Sequence, residues 1–90
     1  MYSIIYTNKF KKDLKHCSKR NYNIFTLKTV VKILQETGQL PGEYKPHKLK
    51  GKYSGLWECH IGPDWLMIWE QDDNKLTLLF IRTGTHSDLF

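Results

Sequence analysis

Cysteine is scarce in this chain. Cys17 and Cys59 are the only two. That is too few for a disulfide framework, and their spacing matches no zinc motif, so both read as buried free thiols. Long apolar runs are missing as well. No stretch approaches the length of a membrane span, and Met1-Tyr2-Ser3-Ile4-Ile5-Tyr6 has no basic segment leading into an apolar one. A cytoplasmic protein with no membrane contact is expected. Acidic residues are the third shortage, with nine Asp/Glu against fourteen Lys/Arg and a net charge of +5. The shortage is local. Residues 1–52 hold twelve basic and three acidic side chains, while residues 53–90 hold two and six. A basic first half reads as a footprint for an anion, and nucleic acid is the commonest large one. Lysines that merely solvate a helix are the plainer alternative. Repeats, linkers and low-complexity tracts are absent, and ninety residues leave no room for a second core, so residues 1–90 read as one domain.

The pattern along the chain predicts an α+β fold. Tyr2–Thr7 is β-branched and aromatic, the composition of a short strand. Thr7 or Asn8 can cap a helix in which Phe10, Leu14 and Cys17 recur at i, i+4 and i+7. Asn23 can cap a second helix along Leu27, Val31 and Leu34, widened by Ile24 and Val30 and stopped by Gly38. A loop, 39–52, carries two prolines, two glycines and four lysines. Three strands are then expected over Tyr53–Ile61, Trp65–Gln71 and Lys75–Thr83, joined by Gly62-Pro63-Asp64 and Asp72-Asp73-Asn74. Such short joins make consecutive strands antiparallel. The order β-α-α-β-β-β describes an antiparallel twisted sheet with both helices on one face. The last strand is apolar on both faces from Leu76 to Ile81, as for the central strand, and Arg82 emerges at its end.

What the chain does have is histidine in chemically suggestive company. His47 lies in Lys45-Pro46-His47-Lys48-Leu49-Lys50-Gly51. His60 lies in Trp57-Glu58-Cys59-His60-Ile61-Gly62-Pro63-Asp64-Trp65. His86 lies in Arg82-Thr83-Gly84-Thr85-His86-Ser87-Asp88-Leu89-Phe90. Imidazole exchanges protons near neutral pH, so the set suggests acid–base chemistry on a polyanion. Strand alternation points Trp57, Cys59 and Ile61 to the core and Leu56, Glu58 and His60 to the other face. That places a carboxylate beside an imidazole. His16, among the lysines of the first helix, reads as a surface residue.

Taken together and in order, three motifs carry a family resemblance. They are His47-x-Leu49-x-Gly51, Glu58-Cys59-His60 with Pro63-Asp64-Trp65, and Arg82 to Phe90. On these the chain resembles the YafQ-like branch of the RelE/ParE toxin superfamily, and the N-terminal part agrees in pattern. The resemblance implies a RelE-like microbial RNase fold and the toxin of a type II toxin–antitoxin pair. Its activity would be that of a ribosome-dependent messenger-RNA endoribonuclease, or mRNA interferase. The implied partners are the ribosome with its message and a RelB/DinJ-like antitoxin, in a heterotetramer that meets operator DNA only through the antitoxin. The family's histidines carry over onto His47, His60 and His86, its acidic positions onto Glu58 and Asp64, and its C-terminal aromatic onto Phe90. A non-catalytic toxin of the same fold, acting by contact alone, is the alternative. It would have no need of three proton-transfer groups.

Metal-free RNA cleavage needs a base for the 2′-hydroxyl, positive charge on the phosphorane and an acid for the leaving 5′-oxygen. His86, on a glycine-containing turn, is the first choice for direct proton transfer. His60 is the second, and His47 is a phosphate contact or second base. Glu58 or Asp64 can orient an imidazole, although Asp64 could simply cap its hairpin turn. Arg82 can grip phosphate oxygens in a bidentate manner. Lys48, Lys50 and Lys52 read as backbone contacts. Trp65 reads as half core and half stacking platform, Phe90 as a stacking residue or a core plug, and Trp57 and Trp69 as core. No cofactor is expected. A metal would need ligand spacing that the histidines lack.

Overall fold

The chain begins as the spacing predicts. A computed structural model describes all of residues 1–90. Strand β1, Ser3–Tyr6, leads directly into helix α1, Asn8–Lys19. The Thr7 hydroxyl accepts the Phe10 N–H at 3.0 Å, which caps the helix, and donates to the Ile81 carbonyl at 3.1 Å. The cap therefore also fixes where the helix sits on the sheet. Phe10 and Cys17 are buried and Leu14 packs against them, as the i, i+4, i+7 line requires. Helix α2, Ile24–Thr37, is capped by the Asn23 side chain, which accepts from the Phe25 N–H at 3.1 Å. It buries Leu27, Val30, Val31 and Leu34. Gly38 ends it at φ +72°, donating to the Leu34 carbonyl at 2.8 Å.

Two-residue strand β2, His47–Lys48, follows, and then β3, Trp57–Gly62, β4, Trp65–Asp72, and β5, Thr77–Gly84. A single turn of α3, His86–Leu89, closes the chain. The five strands form one sheet in the order β1-β5-β4-β3-β2. The hairpins make β3, β4 and β5 antiparallel. β1 instead runs parallel to β5, pairing Ile4 with Leu78 and Tyr6 with Phe80, so the sheet is mixed. Short turns dictate the direction of consecutive strands only. β1 has no such turn to β5 and docks along its free edge. There Tyr6, Phe10 and Phe80 pack with ring centroids 5.4–5.7 Å apart. β3 starts at Trp57, later than the Tyr53 expected, because Gly51–Tyr53 forms a 3-10 turn and Gly55 bends the chain at φ +86°.

The middle strand is β4, with every residue from Trp65 to Trp69 buried. It is covered on both sides. Trp65, Met67 and Trp69 face the helices in the main core. Leu66 and Ile68 face the other way and meet Leu89, with Leu49, Tyr53 and Leu56 around them. This second apolar cluster seats the C-terminal turn on the sheet. The register also slips between β4 and β5. Trp69 pairs with Phe80 but Ile68 pairs with Arg82, leaving Ile81 as an extra residue. A bulge inverts the alternation beyond it. Phe80 therefore faces the helices and Arg82 the opposite side.

Gly38 gives a direct test of this packing. A Cβ built there would stand 2.5 Å from the Tyr2 hydroxyl, on a backbone that L-residues avoid. Gly38→Ala is expected to cost ~1–3 kcal/mol from left-handed strain and displacement of Tyr2, read as a lower urea midpoint with an unchanged slope. A parent-like midpoint would show that the turn has room to relax.

Candidate active site

The face of the sheet away from the helices gathers the three histidines. His47 and Glu58 are cross-strand partners on β2 and β3. Alternation buries Cys59 and Ile61 in the core and leaves Glu58 and His60 on the opposite face. Glu58 is nonetheless only 4 % exposed. Its Oε1 lies 3.1 Å from His47 Nε2, and its Oε2 has no partner. The other nitrogen of His47, Nδ1, lies 2.8 Å from the Lys45 carbonyl. Both ring nitrogens thus face oxygen atoms of the chain. The neighbouring Cys59 is chemically quiet, since burial and the Glu58 charge push its thiol up to about 12.

His60 stands in the middle. Its ring centroid is 6.3 Å from that of His47 and 6.2 Å from that of His86. It makes no side-chain hydrogen bond within the chain, so both nitrogens are available. Beside it opens a groove of about 310 Å³ lined by Glu43, Tyr44, Lys45, His60, Ile61, Gly62 and Pro63.

His86 is the first residue of α3. Asp64 reaches across from the β3–β4 turn, and its Oδ1 accepts both the backbone N–H of His86 at 3.1 Å and the ring Nδ1–H at 2.9 Å. The ring therefore turns its Nε2 outward. These two bonds from His86 hold the Asp64 carboxyl below its usual range. The turn is fixed at its base as well. Asp88 and Thr85 form a reciprocal capping box, and both Asp88 oxygens accept from Arg20 of α1, at 2.7 and 3.1 Å. Those contacts, led by Arg20, hold Asp88 well below the usual carboxylate range. Gly84 makes the approach possible, because a Cβ there would stand 2.8 Å from Asp88 Oδ2. Tyr53 donates to the Leu89 carbonyl at 3.2 Å.

Leu89, not Phe90, is the residue that enters the apolar cluster. Phe90 stays 64 % exposed, edge-on to Tyr53 at 5.4 Å and 6.3 Å from the His86 ring. The aromatic at the chain end therefore borders the histidines.

Not every candidate joins them. Trp65 is a core residue on the helix side, 7 % exposed and 5.0 Å from the Tyr22 ring. Its indole N–H donates to Thr83 Oγ1 at 2.9 Å, so it offers no stacking platform on the histidine face. Lys48 pairs with Trp57 and lies over that indole, on the side opposite His47. Lys50 is exposed, and Lys52 lies over Tyr53 at the border of the site. The bidentate grip expected of Arg82 is already taken by Asp13, with Nε 2.7 Å and Nη2 3.3 Å from the carboxylate. Asp13 also accepts the Thr83 backbone N–H at 3.1 Å, continuing the edge of β5 where β1 has ended. Sequence reasoning missed Asp13, Arg20, Tyr53 and Asp88 as parts of this assembly. A lone acid in a lysine-rich helix was the available signal for Asp13. No three His, Cys, Asp or Glu side chains are grouped so as to hold a metal ion.

The chain is similar to known proteins along its whole length. The family model described as the bacterial toxin of type II toxin–antitoxin system, YafQ, matches residues 2–90. The mRNA interferase toxin YafQ of Escherichia coli K12 is 39 % identical over 88 residues, covering 97 % of this chain and 94 % of the relative. The toxin in the E. coli DinJ–YafQ complex superposes with a TM-score of 0.88 at 36 % identity, covering 100 % of this chain and 99 % of the other. A metal-bound toxin from Helicobacter pylori gives 0.89 at 38 % identity, with both chains fully covered.

The two carboxylate–histidine pairs predict different mutant phenotypes. His47→Ala leaves a buried carboxylate with no partner and is expected to cost ~1–3 kcal/mol. His86→Ala removes an exposed ring and should leave the melting temperature nearly unchanged. Equal melting temperatures for the two variants would contradict the burial argument.

Acid should release the C-terminal turn. Asp64 and Asp88 are both depressed in the folded chain, so their stabilisation is complete above the ordinary carboxyl value of 3.8 and is lost as pH falls through their folded values. Proton NMR should show the Tyr53–Phe90 contact intact at pH 5 and weakening only below that point. Loss of the contact well above it would mean that other groups hold the turn.

Proposed function

The chain belongs to the YafQ family of toxins of type II toxin–antitoxin systems, and on that footing we propose that it halts translation by cutting messenger RNA on the ribosome. Residues 1–90 act as a single toxin domain in the cytoplasm, where translating ribosomes are. No helix is long and apolar enough to cross a membrane. The observation that carries this reading is the row of three imidazoles in three different hydrogen-bond states.

The differences assign the roles. His60, which makes no side-chain hydrogen bond within the chain, takes the proton of the 2′-hydroxyl. The freed 2′-oxygen attacks the adjacent phosphorus, giving a pentacovalent phosphorane. His47 supplies positive charge to it, as does Arg82 through Nη1, the guanidinium nitrogen that Asp13 leaves free. His86, held by Asp64 with Nε2 outward, gives its proton to the departing 5′-oxygen. The products are a 2′,3′-cyclic phosphate and a 5′-hydroxyl. Phe90 and Tyr53 offer ring faces to a base near the scissile bond. Lys50 and Lys52, with the lysines of α1, meet the phosphate backbone.

In the cell the same face is held by a DinJ-like antitoxin, in a heterotetramer that contacts operator DNA through the antitoxin. Contact alone would not require one imidazole with both nitrogens bound, one with both free and one aimed by a carboxylate. Cleavage is therefore the better reading. The chemistry is proposed to be metal-independent: Glu58 and the Lys45 carbonyl engage His47, Asp64 engages His86, and no three ligating side chains are grouped around a common centre.

The test is single-turnover cleavage on programmed ribosomes. His86→Ala should cut ~10²–10⁴-fold more slowly than the parent. A message with 2′-deoxyribose at the scissile position should resist cutting. A chelator that removes zinc and copper but spares ribosomal magnesium should leave the parent rate unchanged. Normal cutting of the deoxy substrate would overturn the nucleophile. A loss in chelator that zinc or copper restores would overturn metal independence.

A further inference from the structure

We infer that Arg20, which reaches Asp88 from the C-terminal end of α1, is a positioning residue for His86. The inference rests on the cleavage reading above and adds to it a residue with no role in the chemical steps and no side-chain contact with His47, His60 or His86. Its basis is the way α3 is held. Four residues are too few to sustain a helix alone, so the direction of the His86 ring depends on what pins this turn. Asp64 pins its first residue, and Leu89 plugs its last into the cluster of Leu66 and Ile68. The cap between them depends on Asp88, which also accepts the Thr85 backbone N–H at 2.9 Å.

Arg20 sets the plane of that carboxylate by gripping both of its oxygens. Planar bidentate pairing fixes orientation as well as distance. Gly84 lets the carboxylate lie against the backbone just ahead of the turn. Arg20 itself is rigid at its base. It caps the C-terminus of α1, where its backbone N–H donates to the His16 and Cys17 carbonyls. The path from α1 to His86 is therefore Arg20, Asp88, Thr85 and then the ring. The pair is half-exposed, with side-chain exposures of 42 % and 31 %. Exposed pairs add little to global stability, so removing this one should disturb geometry far more than folding.

The experiment combines Arg20→Ala, Arg20→Lys and Arg20→Ala with His86→Ala, measured by cleavage on programmed ribosomes and by ¹⁵N NMR of the His86 ring in the isolated protein. Arg20→Ala should lower kcat about tenfold or more, as small misplacements of a reacting group do, with KM and melting temperature near those of the parent. Arg20→Lys should recover part of the loss. In the His86→Ala background, Arg20→Ala should cost nothing further. The ring Nδ1–H signal of His86 should broaden when Arg20 is removed. Parent-like kcat with an unchanged ring signal would overturn the proposal, as would an equal loss in the presence and absence of His86. If the parent itself fails to cut, the cleavage reading fails, and the ring signal alone decides whether Arg20 positions His86.

Discussion

A buried carboxylate with a single partner governs the histidine face. Glu58 is almost wholly out of water, and only His47 meets it. Leaving such a group unpaired is costly. The contact therefore holds the two-residue strand β2 to β3, and it holds the His47 ring in one place. Because the other nitrogen of that ring also faces a carbonyl, His47 has no free nitrogen to offer. In the proposed mechanism proton transfer therefore falls to His60 and His86, which stand next in the row.

The two ends of that row are secured by opposite means. His47 depends on burial and on one short-range pair. His86 rides on a four-residue turn secured by exposed polar contacts from three distant parts of the chain, and by one apolar plug, Leu89. Charge-assisted contacts at a surface are individually weak. Together they orient a ring without burying it, and a group that must reach a bound strand has to remain exposed. The fold thus uses its tight core, Phe10, Trp69 and Phe80 among others, to fix the elements. The geometry of the last turn is left to directional bonds.

Much of this was legible in the sequence because it is local. Thr7, Asn23 and Gly38 cap and stop helices through contacts within a few residues. The alternation through Trp57–Ile61 separates core from site on one strand. What was not legible depends on partners remote in sequence. β1 runs parallel to β5 because no short turn constrains it. Arg82 faces the site side because Ile81 bulges, and a bulge leaves no mark in an apolar run. Trp65 is buried because Thr83, on another strand, takes its indole N–H. Asp13 and Arg20 find their partners only where β5 and α3 pack against α1.

The central claim is the division of labour in which His86 protonates the leaving group and His60 activates the nucleophile. The most direct measurement uses a message whose scissile 5′-oxygen is replaced by sulfur, a leaving group that departs without a proton. On that substrate His86→Ala should cleave at close to the parent rate, while His60→Ala remains slow. If His86→Ala is as impaired on the sulfur substrate as on the natural one, His86 is not the general acid and the account is contradicted.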